Sequence, residues 1–293
     1  MTVHIPTSAA DVIALAYVED LADAGDLTSL ATIPRDHRSV AKIVARAQGC
    51  VAGIPVAEMC FAHIDRRVTV DLLVDDGTVV VPGTVLLEAC GPTRSILTAE
   101  RVVLNLLGRL SGIATATHAF VDAVGGTGSK ISDTRKTTPG MRALEKYAVT
   151  IGGGVNHRMG LYDAVMIKDN HLVASTSIAD AVAKARSLVG PDMVVEIEVD
   201  TLDQLAEAID TDADIVLLDN MSPAELQKAV KMVGSTMRTE ASGGVTLETV
   251  REVAETGVDV ISVGWLTHSA PALDVAMELS DTTPAQEKSG FWK

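Results

Sequence analysis

Residues 194–220 read VVEIEVDTLDQLAEAIDTDADIVLLDN. Two short apolar runs, VVEIEVD and DIVLLDN, flank a stretch whose apolar residues recur at helical spacing. Thr201 with Gln204 forms a capping box that starts a helix at residue 202. The segment reads as a strand–helix–strand unit. A strand that returns parallel to its predecessor needs a long crossover, and a helix supplies it. Repeats of such a unit predict a parallel sheet.

The same rhythm runs from residue 129 to residue 265. Further strands are predicted in SKISDTRK, DAVMIKDN, TEASGG and VDVISVGW. Helices are predicted over 139–150, 177–189, 202–210, 223–233 and 247–256. Ser222 as N-cap, Pro223 at the first helical position and Glu225 at the third make a second clear start signal. Six strand–helix units predict an α/β fold with an incomplete or six-stranded barrel, short of the usual eight.

Before residue 113 the pattern is different, with helices and short strands mixed. Residues 9–23 carry apolar positions at helical spacing, and GDLTSLATIP (25–34) is rich in turn residues. Strands are predicted over 39–47, 68–74 and 78–88, with turn signals at Asp76-Gly77 and Pro82-Gly83. Residues 96–122 predict one long helix or two, with Gly108 and Gly112 as weak points. After the barrel pattern, ALDVAMEL (272–279) predicts a short helix that packs back on the first domain, followed by a frayed polar tail from Asp281 to Lys293. The expected domains are 1–112, joined by the C-terminal helix in 271–293, and 113–270.

Hydrophobic residues make up 47% of the 293, enough for a large core, but aromatics are only 3%. Val, Ile, Leu and Ala must fill that core, which suits α/β better than an all-β sandwich. A formal charge of -15 excludes general nucleic-acid binding, which needs a broad basic face. No apolar run is long enough to cross a bilayer, and MTVHIPTSAADVIAL lacks the pattern of a signal peptide. A cytoplasmic protein is expected. Cys50, Cys60 and Cys90 match no zinc spacing and read as small buried residues.

The barrel prediction gives the polar residues a place. Active-site groups of parallel barrels project from the carboxyl ends of the strands. The six predicted strands end in, or carry near their ends, Asp133, Arg135 and Lys136; Lys168 and Asp169; Glu196, Glu198 and Asp200; Asp219 and Asn220; Glu240, Ser242, Gly243 and Gly244; and Gly264. These groups would meet at one mouth. Charges that follow very apolar runs, such as Lys168, Glu198 and Asp219, are costly unless paired or used.

That mouth has a sign. Residues 130–171 hold seven Lys/Arg against four Asp/Glu, a local +3 that leaves -18 for the rest of the chain. A basic island in an acidic protein predicts a focused anion site. Gly140 and Gly152 to Gly154 would let backbone approach the ligand closely. Lys168 reads either as a Schiff-base nucleophile or as an anion contact. Glu198 and Asp219 read as Mg²⁺ or ribose ligands, or as ion-pair partners of Lys168. His157 reads as a base or as a neutral hydrogen-bond donor, and His171 is undecided. His63 and His118 read as structural or surface residues. The glycine turns at 242–244 and 263–265 resemble the phosphate-binding turns that close many barrels.

DTRKTTPGMRALEKYAV and GGGVNHRMGLYDAVMIKDNH resemble the quinolinate phosphoribosyltransferase family. GDLTSLATIP, LTAERVVLNLLGRLSGIAT, EIEVD, IVLLDN, EASGG and VGWLTHS extend the resemblance over almost the whole chain. The resemblance implies an N-terminal α/β sandwich plus an open six-stranded, TIM-like α/β barrel. It also implies a homodimer in which Arg101 reaches the partner's site. The implied enzyme is a pentosyltransferase that transfers phosphoribosyl from phosphoribosyl pyrophosphate to quinolinate and decarboxylates it. The products are nicotinate mononucleotide, pyrophosphate and carbon dioxide, on the way to NAD.

By the same resemblance Arg135, His157, Arg158 and Lys168, with Arg101 of a second copy, hold the two carboxylates. Lys136 meets the phosphoribosyl substrate, and Thr134 is a further substrate-binding residue. Glu198 and Asp219 hold ribose hydroxyls and Mg²⁺, directly or through the substrate. Ser242, Gly243, Gly244, Val263, Gly264 and Trp265 cradle the 5-phosphate. Lys136, Lys168, Glu198 and Asp219 are the implied catalytic set. Thr150 and Trp265 depart from the family pattern, which usually has a basic and a small residue there.

Overall fold

The computed structural model describes residues 4–281. It divides into two compact units: the chain up to Thr115 together with the chain from Pro271, and Ala116–Ala270. The first unit opens with α1 (Ala9–Leu21), α2 (Leu27–Thr32), β1 (Arg38–Ala45), β2 (Gly49–Cys50), α3 (Ile54–Ile64), β3 (Thr69–Leu72), β4 (Val79–Val80) and β5 (Val85–Pro92). Helix α4 (Thr93–Ala123) runs past the unit boundary. Then come β6 (Lys130–Ser132), α5 (Arg142–Ile151), β7 (Val165–Ile167), α6 (Asp169–Leu172), α7 (Ile178–Val189), β8 (Val195–Val199), α8 (Leu202–Ile209) and β9 (Ile215–Asp219). The last elements are α9 (Pro223–Val233), β10 (Arg238–Ser242), α10 (Val250–Ala254), β11 (Val260–Ser262), α11 (Trp265–His268) and β12 (Val275–Asp281).

In the first unit, β12-β1-β5-β3 form an antiparallel sheet. The predicted helix over ALDVAMEL is therefore a strand. Its Ala, Met, Glu and Leu favour helix locally, but β1 offers an otherwise unpaired edge, and pairing runs from Ala45↔Val275 to Ser39↔Asp281. Most of the predicted frayed tail lies outside the described residues. The turn-rich segment after Gly25 contains one short helix, capped by Asp26, whose Oδ1 accepts from Ser29 N at 3.0 Å. Helix α3 went unpredicted because its start is set at a distance: Ile54 N donates to Asp76 Oδ1 at 2.9 Å. The long helix α4 is continuous through Gly108 and Gly112. These glycines are there for space, since a Cβ at Gly112 would lie 2.1 Å from the Pro271 carbonyl oxygen.

In the second unit, six parallel strands take the order β6-β11-β10-β9-β8-β7. The first strand pairs with the last, while the first and second are left unpaired, which is the order of an open six-stranded α/β barrel. Val155 fills in beside β6 through a parallel bridge to Ser132. Side chains alternate along each strand. Val195, Ile197, Val199, Val216, Leu218, Ala241 and Ile261 face outward and pack with Leu205, Leu226 and Ala229 of the surrounding helices. Glu196, Glu198, Leu217, Asp219, Glu240, Ser242 and Ser262 take the alternate, inward positions. The interior of this barrel is thus polar by register, and the core is the layer between strands and helices.

Candidate active site

A cavity of about 400 Å³ opens at the carboxyl ends of the barrel strands. Thr134, Arg135 and Lys136 reach it from the loop after β6, and His157 and Arg158 from the segment before β7. Lys168, Glu198, Asp219 and Ser242 reach it from the ends of β7, β8, β9 and β10. Met166 and Leu217 give it an apolar floor that suits a flat ring, and Glu240 and Ser262 complete the lining.

The cations fall into two groups. Arg135 and Arg158 each leave a buried Nε without a hydrogen-bond partner. Arg158 Nη1 donates to the Ala164 carbonyl at 3.0 Å, which anchors one end of its guanidinium. Burial, and then the nearby charge of Arg135, lowers the Arg158 pKa. Two guanidiniums that repel each other, with donors unused, make a site waiting for an anion. Lys168, by contrast, is ion-paired to Glu198. That pairing engages it as an ammonium and argues against its use as a free amine nucleophile.

Asp219 has the opposite need. Burial and the charge of Asp200 raise its pKa, with Lys168 and Lys136 only partly offsetting them. It is a carboxylate short of positive charge. Among the described residues, the only cluster of three potential ligand side chains is His157, Glu196 and Glu240, so Glu198 and Asp219 form no ready protein cage. A hard cation that keeps water and phosphate ligands fits such a pair, because it takes only one or two carboxylates from the protein.

Beneath the rim, His157 is fully occupied. Its Nε2 lies 3.1 Å from Glu196 and 3.5 Å from Glu240, and its Nδ1 accepts from Arg158 N at 2.8 Å. That pattern puts the ring proton on Nε2, directed at Glu196 rather than at the cavity. Burial disfavours a charged ring, but the Glu196 hydrogen bond and the two carboxylates outweigh it and raise the His157 pKa. Burial and the charge of Glu196 push Glu240 up to about 7.

The remaining predicted residues divide. Gly243 (φ 104°) follows β10, and a Cβ there would meet Asn220 Oδ1 at 2.2 Å, so the turn admits only glycine. Gly244 continues this turn, also at positive φ. Gly264 sits against Lys136, whose Cδ would be 2.9 Å from an added Cβ. The Val263 side chain is in the outer core, and its N–H is already donated to Ser132 O at 2.9 Å. The Trp265 ring packs 6.3 Å from Phe120. Arg101 belongs to the first unit, on α4, and is 64% exposed. Lys146 and Arg142 are in the basic stretch yet outside the cavity: Lys146 is buried against Asp133, and Arg142 donates to Thr137 Oγ1 (3.0 Å) and to the Met159 carbonyl (3.2 Å). His171 Nδ1 accepts from Lys168 N at 2.9 Å. Glu196 and Glu240 were legible only as strand charges. Strict alternation from Glu198 and Ser242 would have put them inside.

Residues 26–111 match the family model described as quinolinate phosphoribosyl transferase, N-terminal domain, and residues 113–278 match its C-terminal domain. The chain is 44% identical over 272 residues to a probable nicotinate-nucleotide pyrophosphorylase [carboxylating] of Bacillus subtilis, covering 93% of each. It is 44% identical over 280 residues to the nicotinate-nucleotide pyrophosphorylase [carboxylating] of Mycobacterium leprae, covering 93% of this chain and 97% of that one. The solved nicotinate-nucleotide pyrophosphorylase of Francisella tularensis superposes with a TM-score of 0.91 at 37% identity, over 95% of this chain and 98% of that one.

Proposed function

This chain belongs to the quinolinate phosphoribosyltransferase family, and we propose that the rim cavity is where it joins quinolinate to phosphoribosyl pyrophosphate. The products are nicotinate mononucleotide, pyrophosphate and carbon dioxide. One observation carries the placement: two half-buried arginines, each with a buried Nε that has no partner, share a cavity with two lysines. Quinolinate brings two carboxylates to that set, and paired Arg–carboxylate contacts fix the plane of its ring.

Arg135 and Arg158 grip the carboxylates, with Lys168 adding charge from the Glu198 pair. His157 supports this group from below. Lys136 and Thr134 face the phosphoribosyl substrate, and the Ser242–Gly244 turn with Gly264 receives its 5-phosphate. Asp219 and Glu198 face the ribose hydroxyls and the Mg²⁺ that arrives with the pyrophosphate. That ion would supply neutralisation of the leaving group's charge.

The pyridine nitrogen bonds to ribose C1 as the bond from C1 to the pyrophosphate oxygen breaks, and the oxygen keeps the electron pair. Positive charge develops on the ribose as this happens, and Asp219 and Glu198 favour it electrostatically. Holding the ring in line with C1 supplies much of the rate. The ring nitrogen is then cationic. When the carboxylate at C2 leaves as carbon dioxide, the electron pair stays on C2 beside that positive nitrogen, and a proton from solvent replaces the carboxylate.

Arg101 completes the site of a second copy in this reading, so the working form is a homodimer. The proposed place of work is the cytoplasm. Among the described residues no helix is long and apolar enough to cross a membrane, and Cys50, Cys60 and Cys90 are unpaired, as a reducing compartment keeps them. Purified protein with quinolinate, phosphoribosyl pyrophosphate and Mg²⁺ should evolve one carbon dioxide per pyrophosphate released. No turnover of quinolinate would overturn the reading. A mixed dimer of Arg101→Ala and Lys168→Ala subunits should keep one working site, and a dead mixed dimer would remove the shared-site claim.

A further inference from the structure

Lys146 and Asp133 are both fully buried and ion-paired, and neither lines the rim cavity. Burial raises Asp133 to about 6 and lowers Lys146, so each charge is expensive where it sits. A buried pair of this kind is weak as a source of stability, since apolar residues of equal volume hold a core as well or better. Its geometry is more informative. Asp133 stands two residues before Arg135. Lys146 Nζ donates to the His157 carbonyl at 3.0 Å, and His157 N donates to Asp133 Oδ1 at 2.9 Å. The peptide groups on both sides of His157, the residue before Arg158, are thus clamped by one ion pair. Asn156 braces the clamp: with its amide oriented to satisfy the network, Nδ2 donates to Asp133 Oδ2 (2.6 Å) and to the Lys146 carbonyl (2.9 Å).

This clamp spans the place where the barrel is open. β6 and β7 are not hydrogen-bonded to each other, and the Val155 bridge ends just before the arginine-bearing segment. Backbone pairing between the two segments stops at the bond from Asp133 N to the Val155 carbonyl (3.2 Å), and beyond it side chains set the distance between the Arg135 loop and the Arg158 loop. The guanidiniums at their tips repel each other, and their Nε atoms have no partner. Two side chains tie the loops together there: Arg142, which donates to the Arg135 and Met159 carbonyls (3.5 and 3.2 Å), and the buried Asp133–Lys146 pair, which holds the backbone of His157 itself.

We propose that Lys146 and Asp133 are positioning residues: their ion pair fixes the separation of Arg135 and Arg158, and so makes the cavity select a ring with two adjacent carboxylates over a ring with one. The inference rests on the rim cavity being the quinolinate site. It makes Lys146 a lysine of the specificity machinery that never touches substrate.

The test compares the wild-type dimer with the Asp133→Asn/Lys146→Met double variant, which removes both charges at similar volume and leaves no charge buried alone. The KM for quinolinate should rise about tenfold or more, as for other small misplacements of binding groups, with the KM for phosphoribosyl pyrophosphate within about twofold. Calorimetric binding should show the preference for quinolinate over nicotinate falling by a similar factor. Asn156→Ala, which removes only the brace, should move the same quantities in the same direction by less, and it serves where the double variant folds poorly. A folded variant with an unchanged quinolinate KM would overturn the inference. So would equal losses for both substrates in step with a lowered Tm, which is what a merely structural pair predicts. Wild-type turnover of quinolinate alongside either result separates failure of this inference from failure of the functional reading.

Discussion

The rim of the barrel and the layer beneath it use the same residue types to opposite ends. At the rim, Arg135 and Arg158 keep donors unused. Beneath it, Lys146 spends its ammonium on Asp133 and a carbonyl, and His157 spends both ring nitrogens on Glu196 and a backbone N–H. Within one stretch of chain, the proposed reading gives the two arginines with unused donors to substrate and gives Lys146 and His157 to holding the site in shape. Composition cannot separate these roles; hydrogen-bond accounting can.

The largest expected effect tests the rim side of that contrast. Arg135→Ala or Arg158→Ala should lower kcat/KM for quinolinate by about 2–5 kcal/mol, the usual loss when one member of a buried charge pair is removed. Either variant with near-normal kinetics would mean that its guanidinium is not at the carboxylates. The folded state should lose little, because the two charges repel each other.

The barrel was legible because its signals are local. The capping boxes predicted at Thr201 and Ser222 both form, and six apolar runs became six strands. The rim was legible for the same reason: charges at strand ends have only one place to go in a parallel barrel. Misreadings came where distant chain decided the outcome. Strand β12 is made by the edge of β1, and helix α3 starts on a carboxylate 22 residues away. The basic island includes Arg142 and Lys146, which the site prediction did not use. Nothing local to Lys146 or Arg142 says that they turn away from the mouth that Lys136 and Lys168 face.

Glu240 sharpens the interior side of the comparison through pH. Burial beside Glu196 raises its pKa from an ordinary 4.5 to about 7. A carboxyl raised in the folded state binds its proton more tightly there than in the unfolded chain. Its stabilisation is therefore complete below the ordinary value and is lost as pH rises toward about 7. Glu240→Gln removes this titration, so the variant should gain Tm relative to wild type between pH 5 and pH 8. Parallel Tm curves across that interval would show that Glu240 is not held as a raised acid.

A smaller effect is expected at the 242–244 turn proposed to receive the 5-phosphate, where the constraint is steric rather than electrostatic. Gly243→Ala must place a methyl in the space of Asn220 Oδ1 at a backbone angle that L-residues rarely adopt. Strain of that kind costs about 1–3 kcal/mol. The loss should appear both in Tm and in the KM for phosphoribosyl pyrophosphate, with quinolinate affinity spared. Weakened quinolinate binding instead would place the turn on the wrong substrate.

The smallest effect is the control for the whole contrast. Arg46 and Glu278 are 3.4 Å apart with both side chains more than half exposed, on the β1–β12 edge that local sequence misread. Water solvates both groups nearly as well apart as together, so Arg46→Ala should change stability by about 0.5 kcal/mol or less. Strand β12 is held by main-chain pairing along its length, and the ion pair decorates it. If Arg46→Ala instead destabilised the unit by as much as the Gly243 variant, surface charge would be shaping this fold. Depth and partnering would then no longer suffice to tell a binding charge from a holding one.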